Sequence, residues 1–150
     1  MDSLGKARLL AVLVPAALLA GAYVSQYGFG LPPCEMCWWQ RYPHFAAIGI
    51  GGLAFVMQPA RVWVALAGLA IITSGLIGGF HAGVEYGWWE GITGCSTLPS
   101  GTDVMNVSAA PLIRCDVAPW TLLGISLAGF NFLISCTAGA AIVALAAYRR

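Results

Sequence analysis

The chain has 150 residues, of which 59% are hydrophobic and 9% charged, and its net charge is +1. A soluble domain has about a quarter of its residues charged, so there is too little polar surface here to coat a soluble globule. No basic stripe is present to neutralise phosphates, which argues against a nucleic-acid partner; the composition points to a lipid bilayer as the solvent.

A membrane-crossing helix needs roughly 20 mostly apolar residues. Four stretches supply them, at residues 9–29, 38–57, 62–80 and 122–147. The first follows Lys6 and Arg8 and contains Ala20-Gly21-Ala22, which resembles a cleavage site. Its apolar run is longer than the roughly 7–15 residues of a signal peptide, so it is expected to be retained. A tight loop carrying Pro59 links the second stretch to the third. In the third, Gly75, Gly79 and Gly83 recur every four residues, the spacing that lets helix backbones approach closely in lipid.

The loop at about 81–119 is far longer than the ~4–6 residue median, and such loops are usually functional or disordered. It is rich in Gly, Ser, Thr and Pro, yet includes an apolar segment, Val104 to Ile113, that could lie on the membrane surface as a short helix. Cys136 falls mid-span in the fourth stretch and reads as a small hydrophobe without a role. The predicted fold is a single all-α domain over residues 1–150, a four-transmembrane-helix bundle with outer loops at about 30–37 and 81–119.

Orientation follows from the basic residues. Lys6, Arg8, Arg61, Arg149 and Arg150 fall at the termini and in the second loop, whereas Arg41 and Arg114 fall on the opposite side. This bias sets both termini inside. Trp38, Trp39, Trp88, Trp89 and Trp120 then lie at the outer ends of spans, where an aromatic belt belongs. Cys34, Cys37, Cys95 and Cys115 face the outer, oxidising compartment, where paired thiols tend to become disulfides.

The chemistry-bearing run is Pro33-Cys34-Glu35-Met36-Cys37-Trp38-Trp39-Gln40-Arg41. Pro33 suits the first turn of a helix. A helix starting there places both sulfurs on one face, near the positive end of the helix dipole, which makes a thiol reactive. Arg41 lies one turn beyond Cys37, on the same stripe. Placed at the membrane boundary, it is a functional candidate able to steady a thiolate. Glu35 opposes these effects, and Pro43 should kink the helix near its outer end.

Cys95 and Cys115 could close a static loop disulfide, worth roughly 3 kcal/mol on chain-entropy grounds. Two disulfide-capable pairs on one face instead suit thiol–disulfide exchange. Tetrahedral zinc on the four cysteines is disfavoured by the wide spacing of the second pair. Four cysteines allow three pairings, and the sequence does not choose among them. His81 opens the run His81-Ala82-Gly83-Val84-Glu85-Tyr86-Gly87-Trp88-Trp89, at the depth of Arg41.

At these residues the chain resembles the bacterial disulfide bond formation protein B (DsbB) family. The likeness rests on the Pro-Cys-X-X-Cys-X-X-X-Arg run, the His81 stretch, Arg114-Cys115-Asp116, and Pro119-Trp120 opening the last helix. It implies an inner-membrane enzyme that passes electrons from a periplasmic thioredoxin-fold dithiol oxidase, DsbA-like, to ubiquinone or menaquinone, with no metal. Cys95 would accept attack from the partner dithiol. Electrons would pass through Cys115 to the Cys34–Cys37 pair, with an interloop Cys34–Cys115 disulfide as one route. Cys37 would meet the quinone, Arg41 would steady thiolate and quinone, and His81 would line the same pocket. The competing readings are another quinone-linked thiol oxidoreductase, like vitamin K epoxide reductase, and a non-enzymatic four-span scaffold with static disulfides.

Overall fold

The computed structural model describes residues 2–94 and 113–148. Its frame is four long helices: α1 (Ser3–Tyr23), α2 (Glu35–Val56), α3 (Ala60–Glu85) and α4 (Leu127–Ala147). A five-residue π-helical extension, Val24–Gly28, follows α1. The helices pack as a ring, α1 against α2, α2 against α3, α3 against α4 and α4 back against α1. Three are long and apolar enough to cross a membrane by length and composition: α1 with its extension, α3 and α4. The remaining helix, α2, has the length, 22 residues. It buries Gln40, Arg41 and His44 toward its neighbours.

Side-chain size is sorted as a bilayer demands. The fully buried cluster is built largely of Ala7, Ala11, Ala47, Ala54 and Ala67 with Val64, Ile71 and Ile142. Leu13, Val56, Leu69 and Leu76 face outward. Lipid tails solvate such large side chains as well as a protein core would, so small residues gather where backbones meet. Gly75 shows this directly, because a Cβ there would stand 2.7 Å from Cys136 Sγ and 3.0 Å from its backbone nitrogen, on α4. Cys136 is a free, half-buried thiol at this contact.

Two predicted boundaries are corrected. First, α3 does not end at residue 80; it continues to Glu85, which puts His81 inside the helix. The stop comes from Gly87, at φ +70°. The Trp88 N–H bonds the Gly83 carbonyl (2.8 Å) and the Gly87 N–H bonds that of Val84 (3.1 Å), the paired bonds of a Schellman cap. Second, the last helix does not open at Pro119-Trp120. Thr121–Leu122 and Ile125–Ser126 pair as a short hairpin, and α4 starts at Leu127. The turn residues Leu123 and Gly124 both have positive φ, as a type I′ turn requires. Tyr86 Oη donates to the Gly124 carbonyl (3.0 Å) and accepts from the Ser126 N–H (2.9 Å), fastening the hairpin to the end of α3. No interruption occurs at Pro43, and α2 runs through it as continuous helix.

Candidate functional site

The site is built at the N-terminus of α2. Cys34 is the N-cap, extended in backbone, and its sulfur accepts the Cys37 N–H at 3.3 Å. The helix thus begins at Glu35, so Cys34 stands just outside it and Cys37 lies in its first turn. Their sulfurs are 2.8 Å apart, and both are free thiols. Closing to a disulfide bond of ~2.05 Å needs less than about 1 Å of movement. The hydrogen bond to Cys37, and then burial, push the Cys34 thiol well above its ordinary value. Either sulfur can donate to the other across this contact. Glu35 is exposed.

Cys115 is fully buried in one cluster with Cys34, Met36 and Val84. It is disulfide-bonded, and Thr93 Oγ1 donates to its sulfur at 3.6 Å. Since Cys34 is free, the interloop Cys34–Cys115 bond is not formed in this state, although the two residues pack together. Cys95 and residues 104–112 of the predicted surface segment lie outside the described residues. Beside Cys115, Arg114 and Asp116 form an exposed ion pair.

Arg41 is only 6% exposed. Its Nη1 donates to Gln26 Oε1 (2.7 Å) and its Nη2 to the Ala22 carbonyl (3.4 Å). The guanidinium also lies over the rings of Tyr23 (4.9 Å) and Trp38 (4.8 Å). Among the described residues no carboxylate pairs with it; the ion pairs there are His81–Glu85 and Arg114–Asp116. A buried cation held by aromatic faces and amide oxygens alone keeps its charge available to an anionic or strongly dipolar neighbour.

His81 is buried, with Nε2 3.6 Å from Cys34 Sγ and 3.7 Å from Glu85 Oε1. Glu85 Oε2 is buried and has no hydrogen-bond partner among the described residues.

Two cavities meet at these residues. The larger, of about 270 Å³, lies among all four helices and is lined by Cys37, Gln40, Arg41, His44, His81 and Glu85 with apolar walls from Ala17, Leu18, Leu31 and Phe130. It sits near the lower end of the ~300–1,000 Å³ typical of ligand pockets. The smaller, of about 250 Å³, is lined by Cys34, Cys37, His81 and Glu85 and by Ile113, Arg114 and Val117. Cys34 borders the smaller cavity alone, whereas Cys37 borders both.

The structure therefore gathers Cys34, Cys37, Arg41, His81 and Cys115 at one end of the bundle. Sequence reading overlooked Gln40, His44, Ser74 and Asn131, which form a hydrogen-bonded cluster beneath the thiols. Their signal was available, since polar side chains inside apolar helices are costly and tend to be functional.

The family described as "Disulfide bond formation protein DsbB" matches residues 5–146. The disulfide bond formation protein B of Verminephrobacter eiseniae is 31% identical over 93% of this chain and 85% of its own length. That of Polaromonas sp. is 30% identical over 91% of this chain and 85% of its own. That of Azoarcus sp. is 34% identical over 79% of this chain and 77% of its own. No solved structure matches the chain significantly.

Proposed function

The chain belongs to the disulfide bond formation protein DsbB family, and from that premise we propose that it is a membrane protein-disulfide:quinone oxidoreductase. A role in disulfide bond formation follows from the family and from its relatives' names. The finer reading is that it reoxidises a periplasmic DsbA-like dithiol protein and passes the electrons to ubiquinone or menaquinone. In this reading α2 is the fourth span of an inner-membrane bundle with both termini inside, and both cysteine pairs face the periplasm.

The observation that carries it is the asymmetry of the two thiols. Cys34 borders only the cavity beside Arg114 and Cys115's neighbours, while Cys37 also borders the apolar cavity among the helices. A sulfur with one side toward each compartment can take electrons from a thiol and give them to a lipid-soluble acceptor. The larger cavity suits a quinone: its walls are mostly apolar, and Arg41, Gln40, His44, His81 and Glu85 are polar groups lining it. When bound, the quinone supplies a two-electron, two-proton acceptor.

The chain's own residues do the rest. Cys95 and Cys115 receive the partner's electrons and hand them to Cys34 by thiol–disulfide exchange. Cys37, the sulfur that lines the larger cavity, is the one that meets the quinone as a thiolate. Arg41, which lines the same cavity, steadies that negative charge.

The test is quinone absorbance during turnover of the purified protein with a reduced DsbA-type donor. Wild type should turn over with ubiquinone or menaquinone, and Cys37→Ser and Cys95→Ser should not. A wild type inert with both quinones defeats the proposal and returns the cysteines to a structural role.

A further inference from the structure

The polar side chains inside the bundle form a directional hydrogen-bond chain that ends on His81. Direction is fixed wherever a donor meets a backbone carbonyl, which can only accept. Gln40 Nε2 donates to the Met36 carbonyl at 3.2 Å, and Asn131 Nδ2 to the Ser74 carbonyl at 3.1 Å, so both amides are oriented. Asn131 Nδ2 also donates to Gln40 Oε1 at 2.9 Å, holding the Gln40 amide from its other end. Asn131 Oδ1 accepts from Ser135 Oγ at 2.7 Å, which agrees with that orientation. The remaining Gln40 Nε2 proton meets His81 Nδ1 at 2.9 Å. Nδ1 must therefore accept, and the neutral ring carries its proton on Nε2.

We propose that Gln40 and Asn131 are positioning residues that lock His81 in its Nε2–H tautomer, so that the ring presents a hydrogen-bond donor, and not a base, to the Cys34 sulfur. The inference rests on the disulfide-exchange reading of the site. It concerns the step in which Cys34 is the sulfur released. An incoming thiolate bonds to the sulfur that was joined to Cys34, the bond to Cys34 breaks, and the electron pair stays on Cys34 Sγ. No proton has to move. Two N–H groups already face the new thiolate: the Cys37 backbone at 3.3 Å and His81 Nε2 at 3.6 Å, the latter also 3.7 Å from Glu85 Oε1. Hydrogen bonds to an ionised acceptor are about twice as strong as neutral ones, and these donors need no reorganisation when the charge forms. The opposite tautomer would turn a nitrogen lone pair toward that charge.

The same lock bears on metal capture. The ligand atoms of Cys34, Cys37 and His81 lie within 4.8 Å of one another, a spacing that a thiophilic cation could bridge. With Nε2 protonated, the imidazole has no lone pair to offer there, and the reduced site is a poor ligand set.

Full-length protein labelled with ¹⁵N-histidine in lipid nanodiscs tests this. The chain has two histidines, and His81→Gln identifies the His81 signals by their loss. Wild type should show His81 protonated at Nε2 and bare at Nδ1. Gln40→Glu, whose carboxylate accepts, should move the proton to Nδ1; Asn131→Ala, which frees the Gln40 amide to turn over, should give a mixture.

The kinetic readout is cleavage of a glutathione mixed disulfide at Cys34 by free glutathione, in a Cys37→Ser background. It should slow at least tenfold with Gln40→Glu and less with Asn131→Ala. With both thiols present and reduced, Gln40→Glu should bind Zn²⁺ at least tenfold more tightly than wild type, since a carboxylate behind a ligating histidine is worth roughly 10–100-fold in affinity. A wild type protonated at Nδ1 overturns the proposal, as does a Gln40→Glu protein whose proton has moved while its cleavage rate has not. If Gln40→Glu fails to fold, the wild-type tautomer and Asn131→Ala decide. None of these readouts uses quinone or a protein donor, so they stand or fall apart from the quinone oxidase reading.

Discussion

Replacing Arg41 with Met separates a functional charge from a structural one. The substitution removes two cation–π contacts, at 4.9 and 4.8 Å, worth about 2 kcal/mol each for a desolvated cation. It also removes the charged donor to Gln26 at 2.7 Å, worth about 1.5–3 kcal/mol. The gross loss is roughly 5.5–7 kcal/mol on those values. Against it stands relief from burying a cation that has no carboxylate partner among the described residues, a penalty of several kcal/mol. The two nearly cancel, so the thermal unfolding midpoint in detergent should move by the equivalent of no more than about 1–2 kcal/mol. Turnover should behave differently. Losing one preorganised electrostatic group typically costs about 10²–10³ in kcat, and quinone absorbance with a reduced dithiol donor reads it. Arg41→Lys should fall between, because a single ammonium cannot bond Gln26 and the Ala22 carbonyl as a fork does. An Arg41→Met protein that unfolds far more easily, yet turns over normally while folded, would refute the reasoning.

Gly83→Ala should destabilise the protein by about 1–3 kcal/mol, since the added Cβ would run into the Trp89 indole ring. Trp89 is tied by its indole N–H to the Phe80 carbonyl at 2.9 Å, so the shift should also appear in tryptophan fluorescence. Cys136→Ser should leave quinone reduction unchanged, because that sulfur packs against Gly75 and borders neither cavity. Gln40→Leu and Asn131→Leu should each orphan a buried partner and lower stability by about 1–3 kcal/mol, while the double variant should cost less than their sum by roughly 0.5–3 kcal/mol; strict additivity in thermal unfolding would deny the coupling. Arg114 holds the Asp116 carboxyl below its usual range. Any stabilisation from that pair is present above the ordinary carboxylate range and lost as pH falls through the depressed value. The pair is exposed and screened, so Asp116→Asn should leave the acid-unfolding profile unchanged.

Hydropathy located the helices, because length and apolar content are what a bilayer selects, but it misplaced the ends where polarity and backbone geometry disagree. His81 and Glu85 interrupt the apolar run, so the third span appeared to end at residue 80. The helix continues because those side chains find partners inside the bundle, and it stops only at Gly87. Leu122, Leu123 and Ile125 are apolar enough to be counted with the fourth span, yet they form a hairpin whose turn is marked by Gly124. The Cys-X-X-Cys-X-X-X-Arg spacing was informative because one helix carries most of it. Gln40, Ser74 and Asn131 were missed because their partners lie on different helices, and averaging over a window of apolar residues hides single polar ones.

The N-cap position accounts for the division of labour between the thiols. Had α2 begun one turn earlier, Cys34 and Cys37 would be equivalent residues on one helical face, both directed to the same surroundings. Because the helix begins at Glu35, Cys34 caps it from outside and reaches His81, while Cys37 is carried inward by the first turn to the wall between the cavities. Three residues of sequence thus yield two sulfurs in different surroundings, still 2.8 Å apart. An exchange protein needs that combination, with close contact for the bond and unlike neighbours for a direction. The buried polar cluster fits the same requirement. Such a network adds little net stability, but in the proposed arrangement its oriented amides hold one imidazole proton toward the sulfur on which charge forms.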